Sequence, residues 1–345
     1  MKLSLFLHME RVSADDSQEK LYDEMMELCE MADEGGLHAI WTGEHHGMNF
    51  TIAPNPFINL VDIAHRTKHV RLGTGTIIAP FTHPIRLAGE AAMTDLITKG
   101  RLDLGIARGA YSFEYERLMP GMDAWGAGQR MRELVPAVKA LWQGDYEHKG
   151  EFWSFPSTTS SPQPKQQPHP PIWVAARDPN SHEFAVKNGC HVQCTPLHQG
   201  EEEISRLITT FKAACREYSP EQPLKIMLLQ HGFVAEDEVD AQQAAEELNH
   251  FYNYFGAWFK NERPVRKGLI KPLTEEEIAA NTYYSAEAMR KNLAIGNPDQ
   301  VIARLKNYEA MGYDEYALWL DSGMSFERKK ASLERFIKYV VPAFH

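Results

Sequence analysis

Residues 37–46 read Leu-His-Ala-Ile-Trp-Thr-Gly-Glu-His-His, an apolar run of strand length that is followed at once by titratable side chains. The preceding amphipathic stretch, residues 17–35, has helical spacing and ends at Gly35-Gly36. A helix followed by a buried strand whose carboxyl end carries polar groups is the repeating unit of parallel α/β folds. We therefore predict a strand over 37–42 with Glu44, His45 and His46 at its carboxyl end.

The same alternation continues in both directions along the 345 residues. It predicts strands at residues 2–8, 37–42, 70–79, 102–107, 172–176, 190–195, 225–234 and 314–320. It predicts helices at residues 17–35, 56–67, 84–98, 128–143, 180–188, 200–217, 237–260, 299–311 and 326–341. Eight such units predict an α/β fold of the (β/α)8 TIM-barrel type, with residues 1–345 as a single domain. An open dinucleotide-binding sheet is disfavoured because the first strand runs into Glu10-Arg11-Val12-Ser13, without a glycine fingerprint.

Two segments interrupt the alternation. Residues 145–171 are rich in proline, serine, threonine and glutamine, which indicates an extended insertion over the surface. Residues 261–285 contain two prolines, a glycine and an acidic run, and long connections of this kind are typically lids or disordered.

Composition limits the possible partners. The formal net charge is −11, so nucleic acid or an anionic membrane would be repelled, and no run of about 20 apolar residues could span a bilayer. The amino-terminal apolar run is too short for a signal peptide. The four cysteines show neither disulfide nor zinc-site spacing. We expect a soluble, reduced, cytoplasmic protein without a structural metal.

Three further strand ends carry groups that fit one small ligand. Gly75-Thr76 lies toward the end of the third strand, where small residues let a flat ring approach the backbone, although a tight turn would use the same residues. Arg108 and Tyr111 follow the fourth strand, where an arginine suits a phosphate or carboxylate but also a rim ion pair. After the fifth strand, residues 176–181 predict a helix amino terminus that binds an anion or is merely capped.

The Glu44-His45-His46 triplet has two interpretations. Adjacent histidines leave a strand in roughly opposite directions, so only one is expected to face the site, as a general acid or base. A hydrogen-bonded loop explains the triplet equally well. A metal site is disfavoured because a third ligand at suitable spacing is missing.

Taken together, these segments resemble the bacterial luciferase-like monooxygenase family, especially its luciferase α-subunit and alkanal-monooxygenase branch. The likeness covers nearly the whole chain, and it is carried by Glu44-His45-His46, Asn55-Pro56, residues 73–84, Lys99-Gly100-Arg101, residues 105–111, residues 171–181 and Gly296-Asn297-Pro298.

The resemblance implies reduced FMN, supplied by a separate NAD(P)H:flavin reductase. Oxygen then adds to the ring, and the peroxyflavin attacks an apolar aldehyde, ketone or similar small organic substrate. His45 matches the catalytic histidine, with Glu44 and His46 as supports. Gly75-Thr76 matches a non-prolyl cis peptide beneath the flavin. The matching cofactor positions, mainly around the phosphate, are Arg108, Tyr111, Arg130, Ala176, Arg177, Asp178 and Ser181.

The chain departs from luciferase α at two points. Ala107 replaces a reactive cysteine, and Arg177-Asp178 replaces a Glu-Ser pair, which leaves the detail of the phosphate contacts open. Residues 261–285 match the position of the family's mobile lid.

Alternatives to this interpretation are a deazaflavin-dependent oxidoreductase, a non-catalytic flavin-binding protein and a metal-dependent barrel hydrolase. A homodimer is expected, with a partner subunit as the alternative. The apolar residues expected at the dimer contact are Leu60, Ile63, Leu87, Ala91, Ala92 and Leu96.

Overall fold

The computed structural model describes residues 1–281 and 283–344, and all elements below belong to these ranges. The strands are β1 (Lys2–Leu7), β2 (Ala39–Thr42), β3 (Arg71–Thr74), β4 (Ile77–Ile78), β5 (Leu102–Ala107), β6 (Tyr146–Lys149), β7 (Ser154–Thr158), β8 (Ile172–Ala175), β9 (His191–Cys194), β10 (Ile226–Val234), β11 (Ala294–Gly296) and β12 (Glu315–Trp319).

The helices follow the strands in the alternation expected from the sequence. They are α1 (Gln18–Glu34), α2 (Pro56–Arg66), α3 (Pro84–Ile97), α4 (Ser112–Leu118), α5 (Ala124–Gln143), α6 (Pro179–Lys187), α7 (Glu201–Tyr218), α8 (Glu238–Lys260), α9 (Glu275–Ala279), α10 (Ala286–Asn292), α11 (Pro298–Met311) and α12 (Phe326–Arg335), with short turns of other helical types at Ala79–Phe81, Phe336–Val340 and Val341–Phe344.

Eight of the strands close into a parallel barrel. The order is β1-β2-β3-β5-β8-β9-β10-β12, and it closes because β12 pairs with both β10 and β1 while β10 also pairs with β9. Short β4 extends the pairing of β5, and β11 pairs with the far end of β10. The predicted (β/α)8 TIM barrel is therefore confirmed.

Local sequence explains why the helices begin where they do. Asn55 accepts a hydrogen bond from the Phe57 amide and is followed by Pro56, the pairing that favours the start of α2. Asp178 with Pro179 starts α6 in the same way, and Asn297 with Pro298 starts α11. These caps fix where the three helices begin, and α6 begins shortly after the carboxyl end of barrel strand β8.

Two apolar clusters fill the molecule. The larger one lies between the strands and the surrounding helices and contains mainly leucine, isoleucine, valine and alanine. The second is rich in aromatic residues, among them Phe6, Phe50, Phe255, Trp258 and Trp319. Because this cluster joins the ends of β1 and β12 to helix α8, it builds one wall of the barrel mouth.

The structure differs from the expected pattern at the third strand. Residues 70–79 do not form one strand; β3 ends at Thr74 and β4 begins at Ile77, with a cis peptide between Gly75 and Thr76. The break turns the chain across the barrel mouth before β4 pairs with the end of β5.

The two insertions contain more regular structure than expected. Residues 145–171 include the antiparallel hairpin β6–β7, whose turn is held by the Glu133 carboxylate through the amides of residues 151–153. Residues 261–285 include α9, started by a reciprocal capping pair between Thr274 and Glu277. The backbone amide of Asn49 donates to the Gly268 carbonyl at 2.7 Å, which ties this segment to the loop after β2. Within the ranges described, none of the helices combines the length and the apolar character needed to cross a membrane.

Candidate active site

A cavity of about 380 Å³ opens at the carboxyl ends of the barrel strands. This is the face of a TIM barrel where active sites are built, and the volume suits a small ligand. Its lining residues are Phe6, His8, Glu44, His45, Phe50, Gly75, Thr76, Ile78, Ala107, Arg108, Gly109, Ala110, Tyr111, Ala175, Ala176, Arg177, Asp178, Ser181, Gln193, Cys194, Thr195, Leu197, Leu229, Phe255, Phe259 and Trp319.

His45 is oriented by a buried carboxylate. Its Nδ1 lies 3.1 Å from Oε2 of Glu114, whose other oxygen accepts the backbone N–H of His46 at 2.7 Å. Glu114 is 1% exposed, so this carboxylate is held in the wall of the cavity by α4. A carboxylate on Nδ1 favours the tautomer with its proton there, which leaves Nε2 of His45 to face the cavity.

Glu44 and His46 form a second pair beside the first. His46 Nε2 lies 2.6 Å from Oε1 of Glu44, and Oε2 of Glu44 accepts the Ile78 backbone N–H at 2.8 Å. The hydrogen bond to Glu44 raises the pKa of His46 above its usual value, against the opposing effect of burial. Glu44 thereby joins the loop after β2 to the start of β4.

His8, at the end of β1, is the second imidazole in the cavity wall. Its Nδ1 contacts the Thr51 hydroxyl, and its backbone N–H donates to Asp321 at 2.5 Å. Burial, followed by the nearby His45 and His231, lowers its pKa well below the usual value, so this ring is neutral at physiological pH. A side chain on Gly43 would start 2.6 Å from His8 Nε2, so His8 occupies space that only glycine leaves free.

The middle of the cavity has a flat, small-residue wall. Gly75, Thr76 and Ala107 supply it, with the cis peptide between the first two. Gln193 on β9 and Thr195 in the loop that follows also line the cavity. Within residues 1–281 and 283–344, the buried Thr195 hydroxyl finds no hydrogen-bond partner, so a ligand in the cavity would satisfy it.

One end of the cavity is polar. Arg108 donates to the Ala124 carbonyl at 3.1 Å, and a neutral partner leaves its positive charge available. Arg177 instead binds Glu203 at 2.9 Å and Gln199 at 2.7 Å.

The cap of α6 lies at the same polar end. The Asp178 carboxylate accepts both the backbone N–H and the hydroxyl of Ser181. Burial alone would raise the pKa of Asp178, but these bonds and the nearby Arg108 hold it below its usual value.

The other end of the cavity is aromatic. Phe6, Phe50, Phe255 and Trp319 contact one another there at ring-centroid distances from 4.9 to 6.5 Å. His231 stacks on Trp319 at 3.9 Å from outside the lining, and burial lowers the pKa of His231 to about 3, so it adds no positive charge. Tyr111 completes this end and contacts both His45 and Phe259.

Comparison with known proteins agrees with this geometry. The sequence profile described as luciferase-like monooxygenase matches residues 1–315. The chain belongs to the luciferase-like monooxygenase family. A relative from Acinetobacter baylyi, the oxygenase component of a flavin-dependent trigonelline monooxygenase, is 70% identical over 344 residues, covering 100% of this chain and 96% of that protein.

Solved structures of the same fold span the whole chain. A monooxygenase from Streptomyces bottropensis superposes with a TM-score of 0.83 at 29% identity and covers 100% of both chains. The oxygenating constituent of the 3,6-diketocamphane monooxygenase from Pseudomonas putida, solved with FMN, superposes with a TM-score of 0.80 at 18% identity, covering 99% and 98%. The family and the enzyme class predicted from the sequence, a luciferase-like monooxygenase, are confirmed.

The structure brings most of the predicted site residues to one cavity. His45, Glu44, Gly75, Thr76, Arg108, Tyr111, Ala176, Arg177, Asp178 and Ser181 all line it. His46 lies directly behind Glu44. Arg130 lies elsewhere, with its guanidinium 4.5 Å from the ring centre of Phe152. Phe6, His8 and Phe259 line the cavity as well, whereas Phe57 and Trp258 are buried in the two apolar clusters.

Several residues of the site were not predicted from the sequence. Glu114 lies 69 residues from the histidine that it orients and has no local motif. Phe50, Phe255 and Trp319 come from three distant segments that only the fold brings together. The position of Trp319 at the end of the last predicted strand was the one available signal, since carboxyl ends of barrel strands meet at the site.

Proposed function

We propose that the chain is the oxygenase component of a two-component monooxygenase, which receives reduced FMN from a separate reductase. The observation that carries the proposal is a single cavity in which His45 lies between an anion-suited end and an aromatic end. The relative at 70% identity is an oxygenase component, which supports the division into two components. The FMN complex of the Pseudomonas putida neighbour supports the choice of flavin.

The cavity residues fit FMN in two places. Arg108 and the amino terminus of α6 would hold the phosphate, because an arginine and the positive end of a helix dipole favour an anion. The Ser181 hydroxyl would bind the phosphate by turning away from Asp178. Asp178 caps the same helix, so the phosphate would lie beside this carboxylate and depend on Arg108 for charge balance. The flat wall at Gly75, Thr76 and Ala107 suits an isoalloxazine ring, and the Thr195 hydroxyl would bind its polar edge.

When bound, reduced FMN supplies the electrons with which molecular oxygen is activated. The role of His45 follows from its partner: Glu114 holds Nδ1, so Nε2 can accept or return one proton at the aromatic end. Glu44 and His46 keep the loop in position from behind. The closely packed aromatic end excludes water, which favours transfer of oxygen to substrate over release of peroxide.

The substrate proposed is trigonelline or a close relative, a pyridinium ring that carries an N-methyl group and a carboxylate. High identity over the full length supports this choice. The aromatic end supports it as well, because ring faces stabilise an adjacent cation. The family resemblance predicts an apolar aldehyde or ketone as substrate. This stays a prediction, and such compounds are tested together with trigonelline.

Single-turnover oxygenation tests the proposal. The purified protein is mixed anaerobically with photoreduced FMN and then exposed to ¹⁸O₂ with trigonelline, decanal or a cyclic ketone. We expect a trigonelline product that carries one ¹⁸O atom, with little hydrogen peroxide. Complete conversion of the flavin to oxidised FMN and peroxide, with every substrate unchanged, would refute the proposed activity.

The same experiment separates the remaining alternatives. A deazaflavin-dependent enzyme would bind and turn over reduced deazaflavin anaerobically, whereas we expect neither. A non-catalytic flavin-binding protein would bind FMN and oxygenate none of the substrates.

The homodimer stays a prediction, but its expected contact residues need correction. Leu60, Ile63, Leu87, Ala91 and Ala92 are buried inside the chain, facing the barrel. The apolar side chains exposed on the outer faces of α2 and α3 are Ile58, Met93 and Leu96, at 66%, 56% and 44%. A second copy would cover these residues. Sedimentation at several protein concentrations would measure the association of the two copies.

A further inference from the structure

We propose that His8 donates a hydrogen bond from Nε2 to the carboxylate of the substrate and so makes the site specific for a pyridinium ring that carries this group. The inference rests on the proposed function, since it names the residue that binds one end of trigonelline. The two imidazoles of the cavity then have different tasks: His45 moves a proton, and His8 holds the substrate.

The His8 ring is fixed before any ligand binds. It follows β1 directly, is 5% exposed and lines the cavity. Its Nδ1 contacts the Thr51 hydroxyl. Phe6, Phe50 and Trp319 surround the ring at centroid distances from 4.5 to 5.4 Å. A ring held in this way loses little freedom when a ligand binds, which favours affinity and specificity.

Thr51 determines which nitrogen of His8 carries the proton. Burial, followed by the nearby His45 and His231, lowers the pKa of His8 well below its usual value, so the ring is neutral and has one N–H. Thr51 is 1% exposed, and within residues 1–281 and 283–344 its hydroxyl has His8 Nδ1 as its one hydrogen-bond partner. A buried hydroxyl proton without an acceptor is costly, so Thr51 donates to Nδ1. The proton of the ring therefore lies on Nε2.

The Nε2–H of His8 is left for a ligand. The hydrogen bonds of His8 in the described part of the chain use its backbone N–H and Nδ1, and none of them uses Nε2. A Cβ on Gly43 would lie 2.6 Å from this nitrogen and 3.1 Å from the Gly75 carbonyl. The donor thus lies where the flat wall of the cavity meets its aromatic end. Buried donors are normally satisfied, so this one indicates an acceptor on the ligand.

His45 presents the opposite group beside this donor. Its ring centroid lies 5.4 Å from that of His8. Because Glu114 holds Nδ1 of His45, its Nε2 has a lone pair. The neighbouring imidazoles therefore offer one donor and one acceptor. An anionic oxygen of the substrate would bind the His8 donor, and the lone pair of His45 stays available for the proton.

A neutral donor suits this substrate better than a cation would. The two arginines that line the cavity lie at its polar end, where Arg108 is assigned to the phosphate and Arg177 binds Glu203. Hydrogen bonds to an ionised acceptor are stronger than those between neutral groups, so an imidazole N–H is sufficient for a carboxylate. It also places no positive charge beside the positive ring of the substrate, which an arginine or lysine would repel.

A pair of ligands that differ in the carboxylate tests the inference. Trigonelline is compared with 1-methyl-3-isopropylpyridinium, which has the same charged ring and an apolar branched group of similar size. Binding is measured by calorimetry on the whole protein with oxidised FMN. We expect the wild type to prefer trigonelline. In His8→Phe, which keeps a ring among the aromatic neighbours but removes the donor, this preference should fall about tenfold, while the Kd for FMN stays unchanged.

Three further variants identify the cause. His8→Phe combined with Thr51→Val avoids an unpaired buried hydroxyl and should show the same loss of preference. Thr51→Val alone leaves the His8 proton free to occupy either nitrogen and should reduce the preference by a smaller factor, about threefold. Thr94→Val removes another buried hydroxyl, on α3 and outside the cavity lining, and should leave the preference unchanged.

Several results would overturn the proposal. They are equal binding of the two ligands by the wild type, an equal loss of both ligands in His8→Phe, or a loss of FMN affinity with the preference intact, which would assign the donor to the flavin. Loss of the preference in Tyr111→Phe but not in His8→Phe would assign the carboxylate to the Tyr111 hydroxyl instead.

Failure of the proposed function gives a different result. The carboxylate preference and its dependence on His8 would then be present, but no oxygen would be transferred to trigonelline. Conversely, oxygenation of trigonelline with an unchanged preference in His8→Phe would refute this inference and leave the proposed function intact.

Discussion

Both ends of the barrel contain buried carboxyl groups, but the hydrogen bonding of these groups differs between the two ends. Near the amino ends of the strands, Glu315 accepts hydrogen bonds from Ser4 at 2.6 Å and from the Trp41 indole at 2.9 Å. Asp103 binds Arg71 at 2.5 Å and the Trp173 indole at 3.1 Å. Near the carboxyl ends, Glu114 holds an imidazole, and the carboxyl oxygens of the buried Glu10 have no hydrogen-bond partner among the described residues.

This difference indicates that the polar groups at the amino end serve stability, whereas those at the carboxyl end serve ligand binding. At the amino end, the polar groups satisfy one another, so the bonds hold strands together and no ligand is needed. At the carboxyl end, groups are aimed at a cavity or are incompletely satisfied, which costs stability and is useful only when a ligand binds. Substitutions at the two ends should therefore affect different measurements.

The largest effect is expected from His45→Ala at the carboxyl end. Loss of the proposed proton-transfer group should lower coupled oxygenation by about a thousandfold, while FMN affinity and the melting temperature stay unchanged. Stopped-flow kinetics and peroxide yield measure it, with the exposed helix residue His65 changed to alanine as the control. Wild-type turnover in His45→Ala would remove His45 from the catalytic role.

The converse effect is expected from Arg71→Met at the amino end. Removing the cation leaves Asp103 buried without its ion pair, which should lower the free energy of unfolding by about 3 kcal/mol. Turnover per folded molecule should stay the same. Denaturant titration measures the change, and Arg86→Met, which breaks an exposed pair with Glu90, should cost less than about 0.5 kcal/mol. Equal losses in the two variants would contradict a structural role for the buried pair.

Glu315 should make stability depend on pH. Burial raises its pKa from 4.5 to about 7, so the folded state holds this proton more tightly than the unfolded chain. Its contribution is fully present below about pH 4.5 and is lost as the pH rises through about 7, a change of up to about 3 kcal/mol. Glu315→Gln should flatten this part of the profile in urea titrations between pH 4.5 and 8. Parallel profiles for wild type and variant would show that Glu315 does not titrate in this range.

The smallest effect is expected from Glu114→Gln. The amide preserves the shape but can present an N–H to His45 Nδ1 and so favour the wrong tautomer. We expect kcat to fall about tenfold with little change in KM, since orienting groups typically contribute this much. Glu183→Gln, in an exposed pair with Lys187, is the matched control. A change confined to KM would indicate that Glu114 shapes the substrate pocket instead.

The fold could be predicted because its signal is local and repeated. Strand and helix periodicity recurs along the chain, and the observed elements begin or end within a few residues of the expected ones. Segment 70–79 is predicted as one strand because apolar and β-branched residues lie on both sides of its two glycines. The cis peptide at Gly75–Thr76 breaks it, and the departure of the chain at Thr74 depends on pairing with β5, which local sequence does not encode.

The candidate site could be predicted only in part, for a similar reason. Residues at strand ends, such as His45 and Arg108, could be predicted as site residues, because the barrel topology brings the carboxyl ends of its strands together. Arg177 was expected to meet the phosphate, but its partner Glu203 lies 26 residues further along the chain. The same holds for Glu114: its role comes from the neighbours that folding supplies, and no motif marks those neighbours in the sequence.

The cysteine in the cavity wall has a consequence for the lifetime of the protein. Cys194 lines the cavity, and its thiol lies 3.3 Å from the Ala176 carbonyl. Burial raises its pKa far above the usual range, and burial raises the pKa of Cys190 to about 12. Peroxide oxidises thiolates, whereas protonated thiols react slowly. In the proposed reaction, a failed turnover would release hydrogen peroxide in this cavity, where burial keeps the Cys194 thiol in its protonated, unreactive form.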